Sequence, residues 1–303
     1  MEAIWSPDSK RWPTPREGLV VDVIYRKEIR VKLRTRRVGD YEIAFLFDGM
    51  FTTGTDSLVH ANGPAAQAEM LANCPSATIE FEVNHFALRG PGGLTLVDAG
   101  TGPGWSPSLG RSWGSMRQNG IAPADVDRVL LTHLHFDHAR GLLDGEKPYF
   151  PRAEILIPSI ELAFYTSEAA RLALPEARRS AFPITAAIVK AYGSRIKPFM
   201  PGEVLPGIET LALPGHTMGQ TGFLLRGNGE TALFWADAAH MADIQTADPD
   251  VSTVFDYDPK LAARTRWWLF DRAVEENWLI IGSHLSDFSR VRRVGETYGI
   301  SAA

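Results

Sequence analysis

Thr132-His133-Leu134-His135-Phe136-Asp137-His138 follows the apolar run Val129-Leu130-Leu131 and puts four metal-ligand side chains within six residues. Strand alternation predicts that His133, His135 and Asp137 share one side, and a turn or helix start after Asp137 would fold His138 back beside them. Neutral imidazoles and carboxylates suit zinc and similar divalent ions, and this packing is dense enough for two of them. Of the eight histidines in the chain, three stand in this one heptad. A lone histidine is commonly a satisfied core or surface residue. Three of them with a carboxylate at one strand end call for a metal.

Three more apolar runs end on ligand-type side chains. Leu211-Ala212-Leu213 is broken by Pro214-Gly215, which leaves His216 on a loop. Thr231-Ala232-Leu233-Phe234-Trp235-Ala236 runs into Asp237, and Trp278-Leu279-Ile280-Ile281 passes through Gly282-Ser283 into His284. Each has the pattern of a buried strand ending at a loop. Taken singly, Asp237 reads as a turn former, and His216 or His284 as a packed loop residue. Together with the heptad they make seven candidate ligands at four strand ends.

In that order His133, His135, Asp137, His138, His216, Asp237 and His284 match the HxHxDH, His, Asp, His signature of the metallo-β-lactamase superfamily, and Leu96-Val97-Asp98-Ala99-Gly100 matches its Asp-x-Gly turn. The chain resembles that superfamily from about residue 40 to the C-terminus. The resemblance implies an α/β protein built as an αββα sandwich, with the metal site at one edge between two sheets. It implies that His133, His135 and His216 hold a first metal and that Asp137, His138 and His284 hold a second. Asp237 would bridge the two, and Asp98 would orient ligands from behind.

Composition sets the frame. With 303 residues and 45% hydrophobic content, a sizeable core is affordable. A net charge of −5 provides no global basic field for nucleic acid. The single cysteine, Cys74, excludes an internal disulfide. Met1–Pro7 lacks the pattern of a signal peptide and no apolar run reaches spanning length, so a cytoplasmic protein without membrane contact is expected. Residues 1–37 read as an N-terminal arm and edge strand packing on the body, and 38–303 as one metallo-β-lactamase-like domain with a helical insertion at about 159–192. The alternation Arg30, Lys32, Arg34, Arg36 against Ile29, Val31, Leu33 reads as the solvated face of that edge strand rather than a nucleic-acid strip. Helical patterns fall at Ala65–Ala72, Leu109–Asn119, Ser159–Ser167, Glu176–Tyr192 and Pro259–Asn277.

Within the superfamily, the wording of the N-terminal half and the ligand spacing look most similar to the group of N-acyl homoserine lactonases, which act in quorum quenching, and methyl parathion hydrolase. The flavin-carrying diiron branch is set aside by His135, where it has Glu, and the thiolate-ligand β-lactamases by Asp237, where they have Cys. The expected activity is that of a dinuclear-metal hydrolase, with a metal-bridging hydroxide attacking a small-molecule lactone or ester. A phosphotriester substrate, a glyoxalase-like thioesterase and a non-catalytic ligand-binding protein are the alternatives. The cofactors implied are two divalent ions, zinc foremost, and a homodimer is implied by resemblance alone. Asp137 would ligate and position the hydroxide. One departure is His240, three residues after Asp237, where the lactonases carry a Tyr that holds the ester oxygen; as an imidazole it would donate a proton, with a pH sensitivity the Tyr lacks. Trp105, Trp113, Phe136, Phe164, Tyr165, Phe199 and Met200 are candidates for cleft walls, while Trp267, Trp268 and Trp278 are expected in the core.

Overall fold

The structure, a computed structural model, describes residues 34–74 and 76–303. The arm expected over residues 1–37 lies outside the described residues as far as Leu33. Two seven-stranded sheets take their strands in chain order. The first contains β1 (Thr35–Val38), β2 (Tyr41–Gly54), β3 (Thr78–Gly90), β4 (Gly93–Val97), β5 (Val126–Leu130), β6 (Glu154–Pro158) and β7 (Ile196–Phe199). The second contains β8 (Glu203–Leu205), β9 (Ile208–Ala212), β10 (Thr221–Gly227), β11 (Glu230–Phe234), β12 (Leu279–Ile281), β13 (Ser289–Val294) and β14 (Thr297–Ala302). Each opens as an antiparallel meander and then turns to parallel pairing, from β4 to β7 in the first sheet and between β11 and β12 in the second.

Parallel neighbours need a crossover, and the helices sit there. After α1 (Pro64–Ala72), which precedes β3, α2 (Ser112–Gln118) lies between β4 and β5, and α3 (Phe136–Ala139) follows β5. Between β6 and β7 come α4 (Ser159–Tyr165), α5 (Glu168–Ala173) and α6 (Ala181–Tyr192). Between β11 and β12 come α7 (Ala242–Ala247) and α8 (Pro259–Glu275).

The strands read as continuous apolar runs because both of their faces are covered. In β6, Ile155 and Ile157 face the layer under α4 and α6, whereas Leu156 faces the other sheet. In the second sheet Phe223, Leu225, Ala232, Phe234, Leu279 and Ile281 point to the space between sheets, where they meet Phe45, Phe86 and Leu130. Their neighbours Leu224, Leu233 and Ile280 point outward onto Leu269 and Phe270 of α8. Burial of each such side chain contributes about 1.5–3 kcal/mol. Helix, sheet, sheet, helix is therefore the layer order, as the α/β sandwich expectation required.

Two details position the site. In β2 the register shifts between Phe47 and Gly49, and this bulge turns the buried Asp48 toward the loop that follows β4. There Asp48 accepts from Thr101 N, Thr101 Oγ1 (2.6 Å) and Ser112 N. At the bulge, a Cβ on Gly49 would stand 2.0 Å from Ser108 O, so only glycine lets the two backbones meet. At the sheet edge, Arg34 and Arg36 are paired with Glu82 and Glu230, both at 2.8 Å. One expectation fails: Trp268 is 46% exposed, because it shares the solvent face of α8 with Arg264 and Arg272, one turn away on either side.

Candidate metal centre

The heptad is not a continued strand. β5 ends at Leu130, residues 131–135 form a loop, and α3 begins at Phe136 with His135 as its N-cap. The reason lies in two carboxylates brought in from elsewhere in the chain. Thr132 N donates to Asp98 Oδ1 (2.9 Å) and Leu134 N to Glu161 Oε1 (3.1 Å), so side-chain carboxylates take backbone donors that a longer strand would have given to a neighbour. His133 and His135 thus come from the loop and Asp137 and His138 from the first turn of α3. The four side chains therefore do not meet by strand alternation but by a loop running into a helix start.

The second sheet supplies the rest. His216 lies beyond β9 on a loop pressed against the start of α8, where a Cβ on Gly215 would meet Ala262 N at 2.3 Å. Asp237 follows β11 through Ala236, whose φ of 54° is left-handed, and Asp98 itself has φ 60°. Such non-glycine conformations cost about 1–3 kcal/mol each and persist where the surroundings hold them. His284 follows β12.

The other six side chains gather around Asp237. Its Oδ2 stands 3.4 Å from His216 Nε2, 3.7 Å from His133 Nε2 and 3.1 Å from His240 Nε2. Its Oδ1 stands 3.2 Å from both His138 Nε2 and His284 Nε2. Asp137 Oδ2 is 3.6 Å from His138 Nε2, and His135 Nδ1 is 2.8 Å from His216 Nε2. His133, His135 and His216 form one group that can hold a metal, and Asp137, His138, Asp237 and His284 form another, each with its ligand atoms within 4.8 Å of one another.

The ring nitrogens that point away are occupied. His138 Nδ1 donates to Asp98 Oδ2 (2.7 Å), His216 Nδ1 to Asp256 Oδ1 (2.8 Å) and His284 Nδ1 to the Glu82 carbonyl (2.9 Å). His133 Nδ1 donates to Thr132 Oγ1 (3.0 Å), which in turn donates to Asp98. Each of these contacts fixes a tautomer and turns a lone pair inward. Inward, His133 Nε2, His138 Nε2, His284 Nε2 and Asp237 Oδ1 are buried with no hydrogen-bond partner. Native proteins rarely leave such atoms unsatisfied, and four of them facing one another fit divalent cations.

Electrostatics agree. Burial drives His133 and His135 well below the ordinary imidazole value, with neighbouring histidines adding to it. Burial opposes protonation of His138 and His284 too, but the carboxylates of Asp237 and Asp137 outweigh it and raise both. Asp237 is held well below the usual carboxylate range, since His138, His284 and His240 together overcome its burial. Burial works to raise Asp256, yet the His216 hydrogen bond and charge, with Arg266, bring it down to about 2.

His240 lies inside this cluster, stacked on His284 with ring centroids 5.0 Å apart, and its backbone N donates to Gln245 Oε1 (2.7 Å). Its Nδ1 has no partner. His135, Phe136 and Asp137 are the partly exposed members of the heptad, so the site opens beside them. Trp105 stacks on Phe136 at 4.4 Å there, and Phe255 and Phe81 approach His240 at 6.5 and 6.0 Å. Phe164 packs on Tyr165 and Tyr257, and the Tyr165 hydroxyl is 3.4 Å from His135 Nε2. Trp113 instead stacks on Tyr149, Phe199 packs against Phe223, and Met200 is 70% exposed. Sequence reasoning missed Asp256, Glu161 and Phe255. Only Asp256 carried a signal, a carboxylate just before the Asp258-Pro259 helix start.

The family model for the metallo-β-lactamase superfamily matches residues 79–284, and the chain belongs to that superfamily. Solved structures of the same fold include hydrolase AbOPH of the β-lactamase superfamily, 24% identical, with a TM-score of 0.79 over 89% of this chain and 97% of that one. AidC, a dizinc quorum-quenching lactonase bound to N-hexanoyl-L-homoserine as product, is 23% identical, with a TM-score of 0.80 over 89% and 97%. A quorum-quenching N-acyl homoserine lactone lactonase is 20% identical, with a TM-score of 0.59 over 87% and 99%. No curated protein matches the chain in sequence. No helix among the described residues is long and apolar enough to cross a membrane.

Proposed function

We propose that this chain is a dinuclear-metal hydrolase acting on neutral lactones or ester-type small molecules. His133, His135 and His216 would hold the first ion, Asp137, His138 and His284 the second, and Asp237 would bridge them. The observation that carries this reading is the inward convergence of four buried, unpartnered ligand atoms whose histidines are each fixed from behind. When bound, two such ions lower the pKa of a shared water toward neutrality and polarise the substrate oxygen. Asp137 is, with His135, a partly exposed member of the ligand set, and its carboxylate would orient the attacking water by accepting a hydrogen bond from it. His240, its backbone N anchored by Gln245, would supply a proton to the leaving oxygen from a ring stacked on His284. Trp105, Phe136 and Phe255 favour a flat or apolar substrate, since they surround the opening with aromatic surface.

A phosphotriester is the second reading. It is favoured by His240, which stands where the lactonases of this group carry Tyr. Zinc is our choice of ion for a site so rich in imidazole.

Chelation should abolish hydrolysis of a panel of lactones, aryl esters and phosphotriesters, and added zinc, manganese or cobalt should restore it. Asp237→Ala should lower metal content and turnover together. Full activity in demetallated protein would end this reading, and stoichiometric metal with tight ligand binding but no turnover would make the chain a binding protein.

A further inference from the structure

The proposed ligands for the two ions share one support, Asp98, which reaches His133 only through Thr132, and otherwise lean on different groups. His138 leans on Asp98, just past β4, and His284 on the Glu82 carbonyl of β3. The loops carrying His133, His135 and His216 meet instead at one carboxylate, Glu161 of α4, which is fully buried. Its Oε1 accepts from Leu134 N (3.1 Å), between His133 and His135. Its Oε2 accepts from Thr217 Oγ1 and Gly219 N, both at 2.8 Å, just past His216. That loop lies so close to α4 that a Cβ on Gly219 would stand 2.4 Å from Glu161 N. One turn along α4, the Tyr165 hydroxyl reaches His135 Nε2.

Burying a carboxylate costs several kcal/mol unless hydrogen bonds offset it, and among the described residues the groups that offset the burial of Glu161 are Thr217, Leu134, Gly219 and His216, with no Lys or Arg. Among the described residues, the three donors that compensate Glu161 all come from the two ligand loops. The interaction therefore locks the spacing between those loops.

We propose that Glu161 is a positioning residue that sets the affinity of the first metal position (His133, His135, His216) independently of the second. This inference rests on the dinuclear reading above. Glu161→Gln keeps the shape but puts an amide NH2 where an acceptor stood, so at least one loop donor loses its partner. Thr217→Val removes one of the three donors and leaves the other two.

The test is cobalt(II) titration of demetallated native, Glu161→Gln and Thr217→Val proteins against a competing chelator, with proton NMR of the paramagnetically shifted, exchangeable ring N–H signals. Occupation of the first position shifts three such signals (His133 Nδ1, His135 Nε2, His216 Nδ1), and occupation of the second shifts two (His138 Nδ1, His284 Nδ1). In Glu161→Gln the first position should weaken by about 10–100-fold while the second is unchanged. Thr217→Val should act in the same direction by a smaller factor. Unchanged two-step uptake in Glu161→Gln overturns the inference alone, and so does equal weakening at both positions. A native protein that takes up no cobalt overturns the dinuclear reading itself, and the inference with it.

Discussion

Asp98 occupies a left-handed backbone position and spends both carboxylate oxygens on the site: Oδ1 on Thr132 N, Oδ2 on Thr132 Oγ1 and His138 Nδ1. Asn tolerates the same backbone, so Asp98→Asn isolates the side chain. The amide offers one acceptor oxygen where three donors arrive, and His138 should lose its fixed orientation. We expect affinity at the second metal position to fall by about 10–100-fold with the fold intact, measured by metal titration beside far-ultraviolet circular dichroism. Unaltered affinity would show that His138 needs no carboxylate behind it. The asymmetry in what sequence could reveal is visible here. All seven candidate ligands were legible because their chemistry is rare and their order is fixed. Asp98 was legible through its turn motif, whereas Asp256 showed only as a carboxylate ahead of a helix start and Glu161 not at all, because a single carboxylate among 36 acidic residues does not reveal its role until folding brings a ring or a loop against it.

At the scale of elements, several strands were legible and the heptad's local shape was not. Hydrophobic runs located β5, β11 and β12 because both faces of each are covered, whereas the end of β5 is decided by Asp98 and Glu161, acceptors remote in sequence. The same limit applies to α8, whose helical period was plain while its buried charge was hidden. Arg266 is buried on α8 and donates to Pro249 O (3.0 Å), Ala238 O (3.2 Å) and Ser252 Oγ (2.5 Å), with Asp256 Oδ2 at 3.8 Å. It thus ties the helix to the segment that orients His216. Arg266→Leu should destabilise the protein by about 3–5 kcal/mol, because it strands a buried carboxylate and three acceptors at once. Arg266→Lys, which keeps the charge without the fork, should cost less. Chemical denaturation of both variants checks the order, and equal stability of native and Arg266→Leu proteins would refute it.

Across the whole molecule, the candidate centre is a seam between halves. The first sheet brings His133, His135, Asp137 and His138 past β5, and the second brings His216, Asp237 and His284 past β9, β11 and β12. Neither half holds a complete set for either ion: the first group needs His216, and the second needs His284 and Asp237. A bound ion would therefore add a link between two sheets that already meet through apolar contacts such as Phe86 against Phe234, whose ring centroids are 5.3 Å apart, and through the Arg36–Glu230 ion pair. The unfolded chain has no such arrangement, so metal binding should add directly to folding stability. At a free metal concentration of 100 times Kd the gain is about 2.7 kcal/mol for one site. For a domain of this size that corresponds to a rise in Tm of roughly 5–10 °C, since each kcal/mol moves Tm by about 2–4 °C. Differential scanning calorimetry across a zinc series, in matched buffers, should show Tm climbing with the logarithm of free zinc. Asp237→Ala, lacking the carboxylate at the centre of the seam, should show a much flatter slope. If the native Tm stayed constant while zinc bound stoichiometrically, the ion would have to bind native and unfolded chains alike, and the seam would contribute nothing to holding the sheets together.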